Sequence, residues 1–295
     1  MVRSSAHATV IFGLSVALAA GVPACRNTSA FTRENALEKV RGEHPDASLP
    51  ADELPAGVIA HEELVYSHAS GRELRLDVYA PARAGRHPGV LVVHGGGWES
   101  GSRTMERPFA KRLAARGYVT APVSYRLGPD GRYPNALYDL KQAVRWLRAN
   151  AERFGIDAAN LGAVGGSAGG QLVALLGATN GEARLEGDGE TKGVSSEIQA
   201  VVDLDGLADF TGKALLDKEA RDPGAPTHFL GGSFADRAAT WRDASPITHA
   251  GNHSAPTLFV ESGAPRPILP GRHEMCAKLL ASGVDCSSIT MSGAP

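Results

Sequence analysis

Hydrophobic residues change rhythm near Gly89. Before it, Leu74, Leu76 and Val78 alternate with Arg75 and Asp77, the period-two pattern of a strand with one face in water. The runs Glu63–His68 and Arg72–Tyr79, joined by Ala69-Ser70-Gly71, predict a β-hairpin. After it, Gly89–Val93 and Tyr118–Val123 are continuous apolar runs, as expected of strands buried on both faces of a parallel sheet. Leu161–Val164, Ile198–Leu204 and Pro256–Val260 repeat that pattern, and Ile289 marks a last strand. Between them lie helical spacings. Leu137, Leu140, Val144 and Leu147 share one face of a helix that opens at Pro134 and closes near Gly155. Gln171–Leu176 forms another, and Met275, Leu279 and Leu280, ended by Gly283, a third. The alternation predicts an α/β chain: a mostly parallel central sheet with the antiparallel hairpin at its N-terminal edge and helices on both faces. The longest irregular stretch, Gly206–Ser254, lies between two strands on the C-terminal side, where insertions usually cover a binding site.

Upstream of the sheet the pattern is different. Arg3 and His7 precede an apolar run from Ala8 to Val22, too short to span a bilayer comfortably, which reads as a secretory signal over residues 1–24. Val22-Pro23-Ala24-Cys25 resembles the lipobox at which bacterial lipoproteins are cleaved and lipidated, with simple cleavage near Ala19 or Ala24 as the alternative. Membrane anchoring is expected only through a lipidated Cys25, and the protein is expected in the periplasm or outside the cell. Residues 25–60 form a polar leader with a short helical stretch near Glu34–Arg41, and residues 61–295 form the folded domain. Export permits disulfides, so Cys276 and Cys286 could pair or merely pack; packing is the expectation. Lys+Arg 30 against Asp+Glu 32, a net charge of −2 without long runs of one sign, gives no reason to expect nucleic acid or anionic lipid as a partner.

The candidate chemistry lies in two glycine-rich motifs after apolar strands. Gly165-Gly166-Ser167-Ala168-Gly169 puts a serine on a sharp turn between a strand and a helix. Gly165 and Gly169 let the turn approach its neighbours without side-chain collision, and Ser167 projects into the cleft. At the helix start the Ala168 N–H can stabilise an oxyanion, and Gly96 and Gly97 of His94-Gly95-Gly96-Gly97-Trp98 would supply the remaining donors. That pairing points to acyl transfer from a nucleophilic Ser167. His94 orients the loop rather than acting as base, and Trp98 is a cleft wall or a packing residue. Neither motif fits G-x-G-x-x-G or G-x-x-x-x-G-K, which argues against nucleotide binding. His61-Glu62 and His273-Glu274 lack a second histidine four residues on, so no metal and no cofactor is expected.

With Ser124-Tyr125-Arg126-Leu127, Pro134-Asn135-Ala136, Asp139-Leu140-Lys141 and Gly155-Ile156-Asp157 added, the chain from about Glu63 resembles the α/β-hydrolase esterases of the hormone-sensitive-lipase and feruloyl or acetyl esterase type. Val202–Gly206, Ala264-Pro265-Arg266 and Gly271–Met275 look most like bacterial esterases that deacetylate plant polysaccharides such as pectin or xylan. The resemblance implies a Ser-acid-His triad, from which this chain departs twice. The loop after Pro256–Val260, Glu261-Ser262-Gly263-Ala264-Pro265, has no aspartate. Asp205, at the C-terminal end of the preceding strand, is the substitute acid, with a turn cap on Gly206 as its alternative role; Asp203 would point to the opposite side, and Glu261 is a third candidate. Triad order also puts the histidine after the last strand, whereas His249, His253 and His273 precede it and are expected to be surface or lid residues. The base is therefore expected beyond Pro295, in a chain truncated at its C-terminus.

These readings converge on an exported serine carboxylic-ester hydrolase acting on small-molecule or polysaccharide esters. The alternatives are a triad-incomplete exported binding protein, or a peptidase or lactonase using the same serine.

Overall fold

The computed structural model describes residues 32–42, 45–262 and 271–291. The expected signal over 1–24, Cys25 and the loop carrying Ala264-Pro265-Arg266 lie outside them. A short helix α1 (Arg33–Arg41), capped by the Thr32 hydroxyl, precedes the sheet. Lys111 donates to the carbonyl and carboxylate of Asp52 and ties the leader to the domain. The elements that follow are β1 (Val58–Ala69), β2 (Arg72–Pro81), β3 (His87–Val93), α2 (Arg107–Ala115), β4 (Val119–Val123), α3 (Asn135–Ala149), α4 (Ala151–Phe154), β5 (Ile156–Gly166) and α5 (Ala168–Ala178). The chain continues through β6 (Ala200–Leu204), α6 (Lys213–Arg221), α7 (Ala225–Phe229), α8 (Phe234–Asp243), α9 (Pro246–His249), β7 (Thr257–Glu261), α10 (Arg272–Ala281) and β8 (Cys286–Thr290).

The strands form one sheet in the order β1-β2-β4-β3-β5-β6-β7-β8. β1 with β2 and β2 with β4 are antiparallel, and every later pairing is parallel, as the change of hydrophobic rhythm predicts. Alternate residues of each strand feed opposite faces. Leu91, Val93, Ala163 and Val201 meet Leu137, Leu140, Val144 and Leu147 of α3 and the apolar side chains of α5. Val92 and Val164 meet Ala110 and Ala114 of α2 on the other face. Every residue of α5 is buried, which explains its continuous apolar sequence. The architecture is that of the α/β-hydrolase fold, with the serine turn at the C-terminal edge of its central strand.

Three expectations are corrected. Asp77 does not face water: α2 packs over that face, and the carboxylate is fully buried. It accepts from the Glu63 N–H at 2.9 Å, Arg107 Nε at 2.9 Å and Arg103 Nε at 3.2 Å. Burial alone would raise its pKa, but the bonds from Arg107 and Glu63 and the two guanidinium charges outweigh it and hold it below the ordinary value. Cys276 and Cys286 do not merely pack: the turn after α10 folds β8 back alongside the helix, their Cα atoms stand 5.3 Å apart, and they form a disulfide. The stretch Gly206–Ser254 is not irregular but carries α6 to α9, helices too short to show sustained periodicity.

Removing one partner of a buried, hydrogen-bonded ion cluster leaves the others uncompensated. Asp77→Ala should lower unfolding free energy by about 3 kcal/mol or more in urea titrations, and a loss below about 1 kcal/mol would contradict the assigned role of the clamp.

Candidate active site

The serine turn is built by backbone compression. Ser167 has φ 55° and ψ −118°, a conformation that L residues seldom adopt, with a cost of about 1–3 kcal/mol. Its N–H donates to Leu204 O at 2.7 Å, which fastens the turn to the end of β6. Glycine is required on either side by approach: a Cβ on Gly169 would lie 2.2 Å from Val93 O, and one on Gly165 2.4 Å from Gly169 O. Ala168 is the first residue of α5, so its N–H has no acceptor within the helix and adds to the positive end of the dipole.

The His94–Trp98 loop follows β3 and runs beside this turn. The Gly96 carbonyl accepts from Glu99 N–H, Ser100 N–H and Ser100 Oγ, all within 3.2 Å. Because the peptide is trans, the Gly97 N–H points the other way. His94 is buried, its Nδ1 donates to Gly95 O at 2.7 Å, and its ring stacks on Tyr125 at 4.5 Å. Burial pulls its pKa down to about 4, so it stays neutral and fixes the loop. Tyr125 in turn donates to His94 O at 2.9 Å and is anchored through Arg126, whose N–H and guanidinium bind Asp139. Trp98 is buried, stacks on Phe229 at 4.7 Å and donates from Nε1 to Gln171 at 2.9 Å.

Asp205 and Asp203 separate as alternation requires. Asp205, at φ 54°, directly follows β6 and lines the same cavities as Ser167. Its carboxylate accepts from Ser262 N–H at 3.1 Å and from Arg272 at 3.4 Å. Asp203 is fully buried on the α5 face, and it is Asp203, not Asp205, whose carboxylate accepts the Gly206 N–H. Its other oxygen has no hydrogen-bond partner among the described residues. Burial pushes Asp203 up to about 7 despite the Gly206 bond and the Arg272 charge. Glu261 stands 3.7 Å from both Arg272 and His273. His249 is buried and spans Glu182 and the Asp243 carbonyl at 2.7 Å each, while His253 and His273 are exposed.

Two cavities meet at Ser167. One, of about 130 Å³, is lined by Trp98, Ala168, Leu207, Leu215 and Pro226, together with Asp205 and the ion pair Lys218–Glu219. The other, of about 510 Å³, is lined by Gly95, Gly96, Gly97, Ser100, Glu106 and Asp205. The structure thus brings together Ser167, Ala168, Gly96, Gly97 and Asp205. No histidine among the described residues lines either cavity. Among the described residues, no group of three or more His, Cys, Asp or Glu side chains is arranged to hold a metal ion. Sequence reading missed Glu106, which lies in a polar stretch without a motif. Burial raises its pKa to about 7, opposed by the charge of Arg33.

Sheet and site define an α/β-hydrolase fold with Ser167 at the turn from its central strand into a helix. The chain matches the BD-FAE family model over residues 76–273 and belongs to that family. It is 32% identical over 189 residues to Esterase LipC of Mycobacterium tuberculosis, covering 62% of this chain and 45% of that protein. To Esterase LipQ of the same organism it is 27% identical over 79% of this chain and 53% of the relative. The chain therefore spans about half the length of these curated relatives. Among solved structures, a truncated carbohydrate esterase from gut microbiota superposes with TM-score 0.70 at 20% identity, over 82% of this chain and 90% of that one, a likeness of fold alone. The propionate-bound esterase of Thermogutta terrifontis gives 0.64 at 27% identity, over 81% and 84%.

Glu106 and Asp203 are neutral in the folded protein at mildly acidic pH and ionised in the unfolded chain. Their contribution to stability is thus fully present below the unfolded carboxyl pKa of about 4 and is lost as pH rises through about 7. Glu106→Gln and Asp203→Asn should each flatten the fall in unfolding free energy between about pH 5 and about pH 8; an unchanged slope would contradict these assignments.

Proposed function

We propose that the protein is an exported serine carboxylic-ester hydrolase that deacylates small esters or acetylated plant polysaccharide through an acyl-enzyme. The observation that carries this reading is Ser167 on its strained turn, sharing cavities with Gly96, Gly97, Ala168 and Asp205. The curated relatives LipC and LipQ, both named esterases, support the reaction class. In this reading Ser167 Oγ attacks the ester carbonyl carbon while a histidine, the base of such a triad, takes the proton. Negative charge gathers on the carbonyl oxygen against the N–H groups of Gly97 and Ala168 and the loop at Gly96. The bond to the alcohol oxygen breaks, the alcohol leaves with the proton, and water repeats the sequence on the acyl-enzyme. Asp205 orients the histidine, and its carboxylate is itself held by the Ser262 N–H and by Arg272. Export rests on the apolar run before Cys25, and a polysaccharide substrate on the motif resemblance and the likeness in fold to a carbohydrate esterase.

A second reading is a binding protein that keeps the cleft without turnover, in which the acid role of Asp205 is replaced by its bonds to Ser262 and Arg272. Hydrolysis of 4-nitrophenyl acetate and of acetylated xylan separates the two. Ser167→Ala should reduce the rate by about 10³-fold or more on both substrates. Equal rates for the protein and the variant would overturn the esterase reading, and xylan binding without serine-dependent turnover would favour the second.

A further inference from the structure

The two cavities beside Ser167 differ in size and chemistry, and that difference bears on the acyl group. The smaller is walled by Trp98, Leu207, Leu215 and Pro226, side chains that offer an alkyl chain contact but no hydrogen bond beyond the committed indole N–H. Its walls are fixed. Trp98 is clamped between the Phe229 ring and the Gln171 amide, and that amide itself donates to Ala244 O at 3.0 Å. Leu207 and Leu215 are buried, and Leu215 projects from α6. Glu219, next along the lining, accepts from Gly224 N–H at 2.8 Å, Thr227 Oγ1 at 2.9 Å and Lys218 Nζ at 2.7 Å, so its carboxylate is saturated and acts as rigid wall. The larger cavity, by contrast, presents Ser100, Glu106 and glycine backbone, surroundings suited to a polar alcohol.

Resting on the esterase reading above, we propose that the small cavity is the acyl pocket and that Leu215, in its wall, limits the length of aliphatic acyl chain it admits. At about 130 Å³ this cavity is much the smaller of the two, which suits it to a short chain. An acyl chain bound to Ser167 Oγ extends past Ala168 toward Leu207 and Leu215. Each methylene beyond the wall meets a packed side chain and should cost about tenfold or more in specificity.

The full-length chain with Leu215 as it stands, Leu215→Ala and Leu215→Phe would be compared on 4-nitrophenyl acetate, butyrate and hexanoate. The native chain should lose at least about tenfold in kcat/KM from butyrate to hexanoate. Leu215→Ala should raise the hexanoate-to-acetate ratio about tenfold or more, and Leu215→Phe should lower the butyrate-to-acetate ratio by a similar factor. A native preference for hexanoate, or ratios that neither variant moves, would overturn the proposal. Turnover of no ester would count against the esterase reading alone, because the pocket is also read by equilibrium binding. Methyl-, propyl- and pentylboronic acids add Ser167 Oγ to boron, with the hydroxyl proton passing to solvent. Affinity that falls at pentyl, and recovers in Leu215→Ala, supports the acyl pocket. Affinity independent of chain length, or no saturable binding, contradicts it.

Discussion

The site depends on a backbone-to-backbone contact. Gly169, in the first turn of α5, lies against the carbonyl oxygens of Val93 and His94, so close that a methyl group there would stand 2.2 Å from one and 2.7 Å from the other. Gly95 meets the serine turn from the other side, where a Cβ would come within 2.9 Å of Gly166 O. These contacts bring the end of β3, the end of β5 and the start of α5 together, and they set the His94–Trp98 loop beside Ser167. Groups aimed at a developing oxyanion are useful only if they need not rearrange when charge appears. The supporting bonds from Tyr125, Ser100 and Gln171 hold this geometry before any substrate arrives.

That compression is offset by burial elsewhere. Ser167 and Asp205 both sit at positive φ, at the C-terminal edge of adjacent strands, and each is held by a backbone bond to the next strand: Ser167 N–H to Leu204 O and Asp205 N–H to Val260 O. The wholly buried α5 and the two-sided apolar core make the sheet edge rigid enough to impose such conformations. The Asp77 clamp serves the same end from below. By binding Arg103 and Arg107 it fixes the turn that carries Glu106 into the larger cavity.

Much of this was legible from periodicity. Continuous apolar runs predicted the parallel strands, alternation predicted the edge hairpin, and the two glycine motifs fell where the chain passes from strand to loop or helix. Strand alternation also separated Asp203 from Asp205, although the Gly206 cap belongs to Asp203 rather than to Asp205. What escaped is what depends on distant partners. Asp77 reads as a wet position because the arginines that neutralise it lie 26 and 30 residues away on another element. The disulfide emerges only once α10 and β8 lie side by side. The lining residues Leu207, Leu215 and Pro226 belong to an insertion whose short helices carry no sustained pattern, and Glu106 belongs to no motif at all.

A covalent intermediate on Ser167 is the central claim, and peptide-resolved mass spectrometry tests it most directly. Acid quenching of the protein during exposure to 4-nitrophenyl acetate should leave one acetyl group, mapped to the peptide that contains Ser167 and lost in Ser167→Ala. Acetylation spread over surface lysines, with the Ser167 peptide unmodified, would contradict the account.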